Sequence, residues 1–369
     1  MGLTSNAVLV LAIVAGVLLF ATTVWLWPRL SGRGWRAVAG RIGLLLATQL
    51  ALFSAVGLAA NKSFLFYGSW ADLFGRQTEM GKVVDHSMST RDVKIVDKQH
   101  LDVPGGTKPQ VGGQILKVAI SGRKSKIESP GYVYLPPEYF QPQYEDKNFP
   151  ASIVLTGYPG TAENLIKGLN YPMTAFKQAK AGKMKPMILV MLRPTVAPPR
   201  DTECVDIPGG PQTETFFAQD LPQAIKDTFR VGDKPRNMGF IGNSTGGYCA
   251  LKMAVHYPQT FGAGAGLSAY YQAPNDATTG DLFHGDGKLK KRADILHSLK
   301  NKQPTGTSFL VTSSEEGEGN LGDTRKFIKG VKGPDRVSSI ILDSGGHNFN
   351  TWRREIPPTL VWMSDRIQA

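Results

Sequence analysis

The chain has 369 residues, of which 41% are apolar and 9% aromatic, the composition of a globular protein rather than a disordered one. That length suits one large α/β domain with an appended segment. The formal net charge of +12 would suit nucleic acid, an anionic lipid surface or an acidic polymer. Because the sequence carries no zinc-finger, helix-turn-helix or aromatic-basic RNA-binding pattern, we exclude a nucleic-acid partner and expect contact with a membrane or cell envelope.

Two uncharged stretches near the N-terminus, residues 7–27 and 42–60, are long enough to cross a bilayer as helices. A cleaved signal peptide would open with a basic segment, and residues 1–6 contain no Lys or Arg. A buried helical hairpin of a soluble core is the other alternative, but two adjacent uncharged spans argue against it. The sequence therefore predicts a membrane anchor of two transmembrane helices over residues 1–60.

The segment between the two spans is basic. It contains Arg29, Arg33, Arg36 and Arg41 and no acidic residue. The positive-inside rule places such a short loop in the cytoplasm, so both termini are expected to face outward. We therefore predict a protein of the cell membrane whose main domain is extracytoplasmic, joined to the anchor by a polar juxtamembrane connector over residues 61–113.

From residue 114 to the C-terminus, short β-rich runs alternate with helical segments, the pattern of a largely parallel sheet with crossover helices. The helical periodicity covers residues 214–229 and 246–257, and Pro258 ends the second helix. We predict an α/β domain over residues 114–369 with eight strands, at residues 115–121, 131–135, 151–156, 187–192, 238–241, 263–267, 308–312 and 338–342.

The most informative motif follows the fifth predicted strand, where residues 242–246 read GNSTG before a helix. A G-x-S-x-G motif between a strand and a helix is the nucleophile elbow of the α/β-hydrolase fold. Its glycines let neighbouring backbone pass close by, while the strained turn exposes the hydroxyl of Ser244. A glycine-rich helix cap is the plainer interpretation. The strand, turn and helix around the motif favour Ser244 as a catalytic nucleophile.

A serine nucleophile requires a general base, which comes last in the chain in this fold. His347 lies in SGGHNFNTW directly after the last predicted strand, with Trp352 expected to pack behind its loop. We expect the remaining histidines to have structural roles or to lie in the connector. They are His86, His100, His256, His284 and His297. The triad acid should follow the seventh strand, where our choice is Glu316, with Glu315 and Glu318 as open alternatives on the same acidic loop.

Two backbone N–H groups are predicted to form the oxyanion hole. One belongs to Thr245, after the nucleophile, and the other to Tyr158 in the turn after the third strand, because Pro159 has no N–H. The two cysteines, Cys204 and Cys249, are expected to pair in an extracytoplasmic domain, although two buried free thiols remain the alternative. Beside Cys204, the charged side chains of residues 200, 201 and 203 could bind polar groups or be solvated.

With these motifs in place, residues 115–369 resemble the bacterial putative esterase family, which includes esterase D, the enterochelin esterases and the antigen 85 mycolyltransferases. The resemblance rests on GYVYLPPEYF, LTGYPG, ETFFAQDLPQAI, GNSTGGYCA and GGHNFNTW. It implies an α/β-hydrolase fold and a Ser-His-acid triad, with Asp or Glu as the acid, acting on esters or thioesters. The N-terminal spans lie outside the general family pattern and suggest a membrane-tethered branch of the sort found in actinobacteria.

Three functions are consistent with this pattern. The first is a membrane-anchored serine esterase that acts on acyl esters through an acyl-enzyme. The second is a cell-envelope acyltransferase, similar to the mycolyltransferases, that moves the acyl group to a sugar or lipid hydroxyl. The third is a non-catalytic membrane scaffold. The sequence shows no metal-binding cluster and no phosphate-binding glycine loop, so we expect no cofactor and no metal.

Overall fold

The computed structural model describes residues 2–3, 5–64, 70, 92–196, 198 and 200–368. The chain divides into two compact units, Met1–Val84 and Asp85–Ala369. Each unit is packed within itself.

The first unit is a helical hairpin. Helix α1 (Asn6–Leu26) is followed by a short 3₁₀ turn (Trp27–Leu30) and by helix α2 (Trp35–Phe64). The helices contact each other through the hydroxyls of Thr23 and Thr48, which are 2.9 Å apart, and through a hydrogen bond from Lys62 to Asn6. Because α2 begins at Trp35, Arg36 and Arg41 are helical rather than part of the loop.

Both helices are long and apolar enough to cross a membrane, with mean hydropathy of 2.7 for the first span and 2.0 for the second. Their large apolar side chains point away from the hairpin, as Leu50 (70% exposed) and Phe53 (75% exposed) show. Such a surface is unfavourable in water. The hairpin is compatible with a membrane anchor or a signal sequence.

The second unit is built on a nine-stranded sheet. The strands are β1 (Val93–Gln99), β2 (Gln114–Ser121), β3 (Glu128–Leu135), β4 (Ala151–Leu155), β5 (Ile188–Leu192), β6 (Met238–Asn243), β7 (Ala263–Leu267), β8 (Ser308–Glu316) and β9 (Arg336–Ser344). Their order across the sheet is β1-β2-β3-β5-β4-β6-β7-β8-β9. The pairs from β1 to β5 are antiparallel, and those from β5 through β4 to β9 are parallel.

The mostly parallel α/β architecture is confirmed, and all eight predicted strands are present. The additional strand, β1, lies within the predicted connector, so the sheet begins before residue 114 and the connector prediction is wrong for Val93–Gln99. The strand is an exposed edge that reads VKIVDKQ and buries little beyond Val93, so its sequence has no apolar alternation to reveal it. Residues 65–69 and 71–91 of the predicted connector lie outside the described residues.

Helices cover the sheet and alternate with its strands. They are α3 (Pro109–Gly112), α4 (Ala162–Lys167), α5 (Tyr171–Lys180), α6 (Thr213–Thr215), α7 (Leu221–Thr228), α8 (Thr245–His256), α9 (Gly287–Ala293), α10 (Ile295–Asn301), α11 (Leu321–Gly330) and α12 (Phe349–Arg366). A π-helical turn, Phe216–Asp220, joins α6 to α7 within the predicted helix 214–229. Strands β4, β5, β6 and β7 are buried along their whole length, as expected for a sheet covered on both faces.

Parallel strands place the loops that follow them at one edge of the sheet. The loops after β4, β5, β6, β8 and β9 therefore share an edge, and they carry the polar residues singled out in the sequence. In open α/β sheets, ligands bind at this carboxyl edge. The topology thus brings together side chains that are more than a hundred residues apart in the chain.

Candidate active site

Ser244 lies on a sharp turn between β6 and α8. Its backbone has φ 55° and ψ −123°, a conformation that costs a non-glycine residue free energy and is found mainly at functional sites. The turn depends on its two glycines, because a Cβ on Gly242 would lie 2.2 Å from the backbone of Gly246, and a Cβ on Gly246 would lie 2.4 Å from the Thr156 oxygen. The G-x-S-x-G motif therefore forms the strained elbow that the sequence predicts.

The imidazole of His347 meets this serine. Its Nε2 lies 2.8 Å from Ser244 Oγ, which is hydrogen-bonding distance. The loop that carries His347 runs from the end of β9 to α12, where the Asn348 side chain caps the helix by accepting hydrogen bonds from the N–H groups of residues 350 and 351. The His347 side chain is 48% exposed, so solvent reaches the imidazole.

Trp352 fixes the ring of His347. The two rings meet edge to face, with centroids 5.2 Å apart and an interplanar angle of 84°. The indole N–H donates to Ser268 Oγ at 3.0 Å, and the Trp352 side chain is buried. Trp352 therefore packs behind the histidine loop, in the place where the sequence predicts it.

The acidic loop after β8 brings Glu318, and not Glu316, to the histidine. Glu318 Oε2 lies 3.5 Å from His347 Nδ1, and the Glu318 side chain is only 3% exposed. Glu316 is exposed and belongs to β8, paired with Ser344 of β9. Glu315 forms an exposed ion pair with Arg325 at 2.9 Å. The structure therefore places Glu318 beside His347, where the sequence analysis expected Glu316.

The length of β8 explains this correction. The strand was predicted to end at residue 312, but its pairing with β9 continues to Glu316. Gly317 then turns the chain with φ +93°, a left-handed conformation that suits glycine. A Cβ on Gly317 would lie 2.6 Å from the Gly345 oxygen, so the turn packs against the histidine loop. The first side chain after this turn is Glu318.

A second buried carboxyl lies near Glu318. Glu355 of α12 is fully buried, and this burial raises its pKa to about 8, with the negative charge of Glu318 acting in the same direction. The Thr312 hydroxyl and the charge of Arg354 oppose the shift. Burial therefore favours the neutral form of the Glu355 carboxyl. No motif in the sequence singled out Glu355.

The loop after β4 approaches the nucleophile closely. A Cβ on Gly157 would lie 2.9 Å from Ser244 Cβ, so only glycine permits this contact. Tyr158, the next residue, is half-buried. Thr245 is the first residue of α8, where a backbone N–H has no partner within its own helix. Thr245 thus follows Ser244 directly in the chain, and Tyr158 follows Gly157, the glycine that approaches Ser244.

The loop after β5 is linked to the elbow helix by a disulfide. Cys204 and Cys249 are bonded, with their Cα atoms 5.8 Å apart, within the usual range for a disulfide. The buried ammonium of Lys252, also on α8, donates to the Cys204 carbonyl at 2.7 Å and pairs with Glu214 at 2.9 Å. The pairing that the sequence left open is present in the structure.

Two carboxyls on this loop lie beside the elbow. The oxygens of Glu203 both lie 2.6 Å from the Tyr270 hydroxyl, which lies 3.0 Å from Thr245 Oγ1. Thr245 Oγ1 lies 3.4 Å from Asp201 Oδ2. The sequence analysis named Asp201 and Glu203 as residues that could bind polar groups, but it did not single out Tyr270.

The other histidines that the structure describes make no hydrogen bond with Ser244 or His347, and they include His256, His284 and His297. His256 is largely buried at the end of α8, where Nε2 contacts the Arg292 carbonyl at 3.0 Å. Its burial, together with the positive charge of Arg292, lowers its pKa to about 4. His284 and His297 are exposed, and His86 lies outside the described residues. Among the residues that the structure describes, no group of three or more His, Cys, Asp or Glu side chains is arranged to hold a metal ion.

Comparison with known proteins decides the family. A sequence profile of the family described as Putative esterase matches residues 124–363, well over half of the chain. The chain belongs to this esterase family. The close contact between Ser244 and His347 agrees with membership of an esterase family.

Individual relatives are distant. An uncharacterized protein of Corynebacterium glutamicum is 25% identical over 279 residues, which cover 69% of this chain and 62% of that protein. The chain therefore spans less than two thirds of the length of this curated relative.

Solved structures of esterases share the fold. A ferulic acid esterase is 17% identical with a TM-score of 0.57 and covers 69% of this chain and 97% of its own. The S-formylglutathione hydrolase from Agrobacterium tumefaciens is 16% identical with a TM-score of 0.57, and the match covers 74% of this chain and 99% of that chain. The enterobactin esterase from Shigella flexneri is 15% identical with a TM-score of 0.52, and the match covers 72% of this chain and 61% of that chain. These likenesses confirm the α/β-hydrolase fold.

Proposed function

We propose that this chain is a membrane-anchored serine esterase that cleaves acyl esters through an acyl-enzyme, with Ser244 as nucleophile, His347 as general base and Glu318 as the orienting acid. The contact of 2.8 Å between Ser244 Oγ and His347 Nε2 carries the proposal. A serine hydroxyl becomes an effective nucleophile when an imidazole takes its proton during attack.

In the acylation step, Ser244 Oγ attacks the ester carbonyl while its proton passes to His347 Nε2. The carbonyl oxygen becomes an oxyanion, which the N–H groups of Thr245 and Tyr158 stabilise. The protonated imidazole then gives its proton to the leaving alkoxide as the carbon–oxygen bond of the ester breaks. The alcohol leaves, and the acyl group stays on Ser244.

In the deacylation step, water attacks the acyl-enzyme and His347 takes the proton of that water. Collapse of the second tetrahedral intermediate releases the carboxylic acid and returns the proton to Ser244. The carboxylate of Glu318 stabilises the imidazolium that forms in both steps. Its separation of 3.5 Å from Nδ1 is typical of a free enzyme, in which catalytic contacts tighten on substrate binding.

A hydroxyl acceptor could replace water in the second step, which would make the chain a mycolyltransferase-like acyltransferase of the cell envelope. The exposure of His347 leaves room for either acceptor. The two outcomes share the acyl-enzyme and differ only in which nucleophile reaches it.

The hydrolysis test uses the full chain in detergent micelles with p-nitrophenyl esters of increasing acyl length. We expect p-nitrophenol release with stoichiometric free acid, both lost in Ser244→Ala. Adding glycerol or trehalose as acceptor should leave the free acid as the main product. Release of p-nitrophenol with the acyl group recovered on the acceptor would identify an acyltransferase, and no release from the folded wild type would contradict the esterase proposal.

The proposed membrane anchor predicts which parts of the chain lie on each side of the membrane. Because both native cysteines form the disulfide, a cysteine introduced elsewhere is a unique free thiol. We expect Glu145→Cys, at an exposed position of the catalytic domain, to react with a membrane-impermeant maleimide on intact cells. Ser31→Cys, between α1 and α2, should react only after the membrane is permeabilised, because the basic loop is expected to face the cytoplasm.

The opposite labelling pattern would reverse the proposed orientation. Equal labelling of both variants on intact cells would contradict a two-span anchor. A chain without an introduced cysteine serves as the background control.

A further inference from the structure

Gln49 of helix α2 points away from α1. Its neighbour Thr48 is buried and faces α1, where the hydroxyls of Thr48 and Thr23 are 2.9 Å apart. Each residue of a helix is turned by about 100° from the one before it, and Gln49 is exposed. The amide of Gln49 therefore lies on the outer surface of the hairpin.

Gln49 also lies deep within the second apolar span. This span runs over Trp35–Lys62, and Arg41 and Lys62 are the nearest charged residues on either side of Gln49 in the sequence. Arg41 is about 12 Å away along the helix axis, farther than a glutamine side chain reaches. In the proposed membrane anchor the amide is thus surrounded by hydrocarbon, where a polar group without a hydrogen bond is strongly unfavourable.

The side-chain hydroxyls of the two spans satisfy this requirement within their own helices. Each donates to the carbonyl oxygen four residues earlier, as seen for Thr22, Thr23, Thr48 and Ser54. The Gln49 amide, in contrast, makes no hydrogen bond with any residue that the structure describes. A primary amide has two donor hydrogens and an accepting oxygen, so it needs a partner that both donates and accepts.

Exposed apolar side chains continue the face of α2 on which Gln49 lies. Together with Gln49 they are spaced alternately four and three residues apart, and they are Ile42, Leu46, Phe53 and Val56. This spacing is typical of a seam along which two helices pack, and a single polar residue within such a seam specifies the register of the pair. These five residues are called the Gln49 seam below.

We propose that the anchor self-associates, with the Gln49 seam of one chain bound to the same seam of a second copy. The amide is its own complement, because the oxygen of each Gln49 accepts from the nitrogen of the other across a two-fold axis. Hydrogen bonds of this kind stabilise helix pairs in membranes, where apolar side chains alone pack as well against lipid. This pairing rests on the proposed membrane anchor and is independent of the catalytic chemistry.

Cross-linking in native membranes tests which face of α2 is in contact. Because Cys204 and Cys249 are bonded to each other, Phe53→Cys gives the full-length chain one free thiol on the Gln49 seam. Oxidation should yield a disulfide-linked species of twice the chain mass of 40.1 kDa. Ser54→Cys, the matched control, is turned by about 100° from the seam and should yield little of it. Equal yields from the two variants, or a cross-link to a different protein, would overturn the proposal.

Energy transfer in lipid vesicles tests the amide itself. Full-length Ser31→Cys, exposed between the two helices, is labelled with donor or acceptor dye, reconstituted and diluted with lipid. Adding Gln49→Leu should weaken self-association about tenfold, because two interhelical hydrogen bonds are lost. Gln49→Asn keeps an amide and should retain most of the self-association.

Ser54→Ala is the matched control for loss of a polar group from α2. The Ser54 hydroxyl already donates to the Leu50 carbonyl at 2.7 Å, so its removal should leave self-association unchanged. Self-association of wild-type strength in Gln49→Leu would overturn the proposal, as would an equal loss in Ser54→Ala and Gln49→Leu.

Extraction with alkaline carbonate separates the seam pairing from the anchor on which it rests. Wild type and Gln49→Leu should both stay in the membrane pellet. Release of the wild type into the supernatant would contradict the anchor and the seam pairing together. Retention of both proteins without amide-dependent self-association would overturn the seam pairing alone.

Discussion

Ser244→Ala is expected to lower kcat for ester hydrolysis about a millionfold, because a triad without its nucleophile retains only the catalysis supplied by binding and the oxyanion hole. His347→Ala should lower kcat to a similar extent, since its Nε2 lies 2.8 Å from the serine oxygen and it is the proposed base that takes the serine proton. The double variant should be no slower than either single variant, because the two residues act as one unit. Initial rates with p-nitrophenyl butyrate measure all three.

His297→Ala is the matched histidine control. His297 is exposed on α10, outside the Ser244–His347–Glu318 cluster, and its replacement should leave kcat at the wild-type value. A Tm close to that of the wild type would show that each variant is folded. Retention of wild-type kcat in folded Ser244→Ala would exclude Ser244 as the nucleophile.

Glu318→Gln is expected to lower kcat by about ten-thousandfold, the loss found when a triad acid becomes a neutral amide. The amide cannot stabilise the imidazolium, and it can hold the imidazole in the wrong tautomer. The side chain is 3% exposed and 3.5 Å from Nδ1, so it is shielded from water and close enough for its charge to act on His347.

Glu316→Gln provides the control for this prediction, because Glu316 lies two residues away, exposed at the end of β8. Its replacement should leave kcat and KM unchanged. A large loss in Glu316→Gln together with normal kcat in Glu318→Gln would restore the assignment made from the sequence. The pair of variants therefore decides between the two carboxylates directly.

The sequence predicted the elbow and the histidine because each depends on local chemistry. The glycines around Ser244 are required by atoms within the turn and by the adjacent strand end, and the place of His347 follows from the order of elements in the fold. The spans over residues 7–27 and 42–60 were equally visible, since length and the absence of charge suffice to identify them. These features needed no knowledge of long-range packing.

The sequence alone could not identify the carboxylate that lies beside His347. Glu315, Glu316 and Glu318 have the same chemistry, and only the last ladder contacts between β8 and β9 decide which of them turns inward. The network of Tyr270 and Glu203 was also hidden, because its members are 67 residues apart in sequence and meet only after the sheet has formed. Strand β1 lacked an apolar face, so composition favoured a connector.

The central claim is that Ser244 is the nucleophile of a working triad, and a fluorophosphonate probe tests it most directly. The full-length protein in detergent micelles is incubated with the probe, digested, and mapped by mass spectrometry. We expect one covalent adduct on the peptide that contains Ser244, lost in Ser244→Ala and strongly slowed in His347→Ala. Folded wild-type protein without an adduct, or with an adduct on a different residue, would contradict the account.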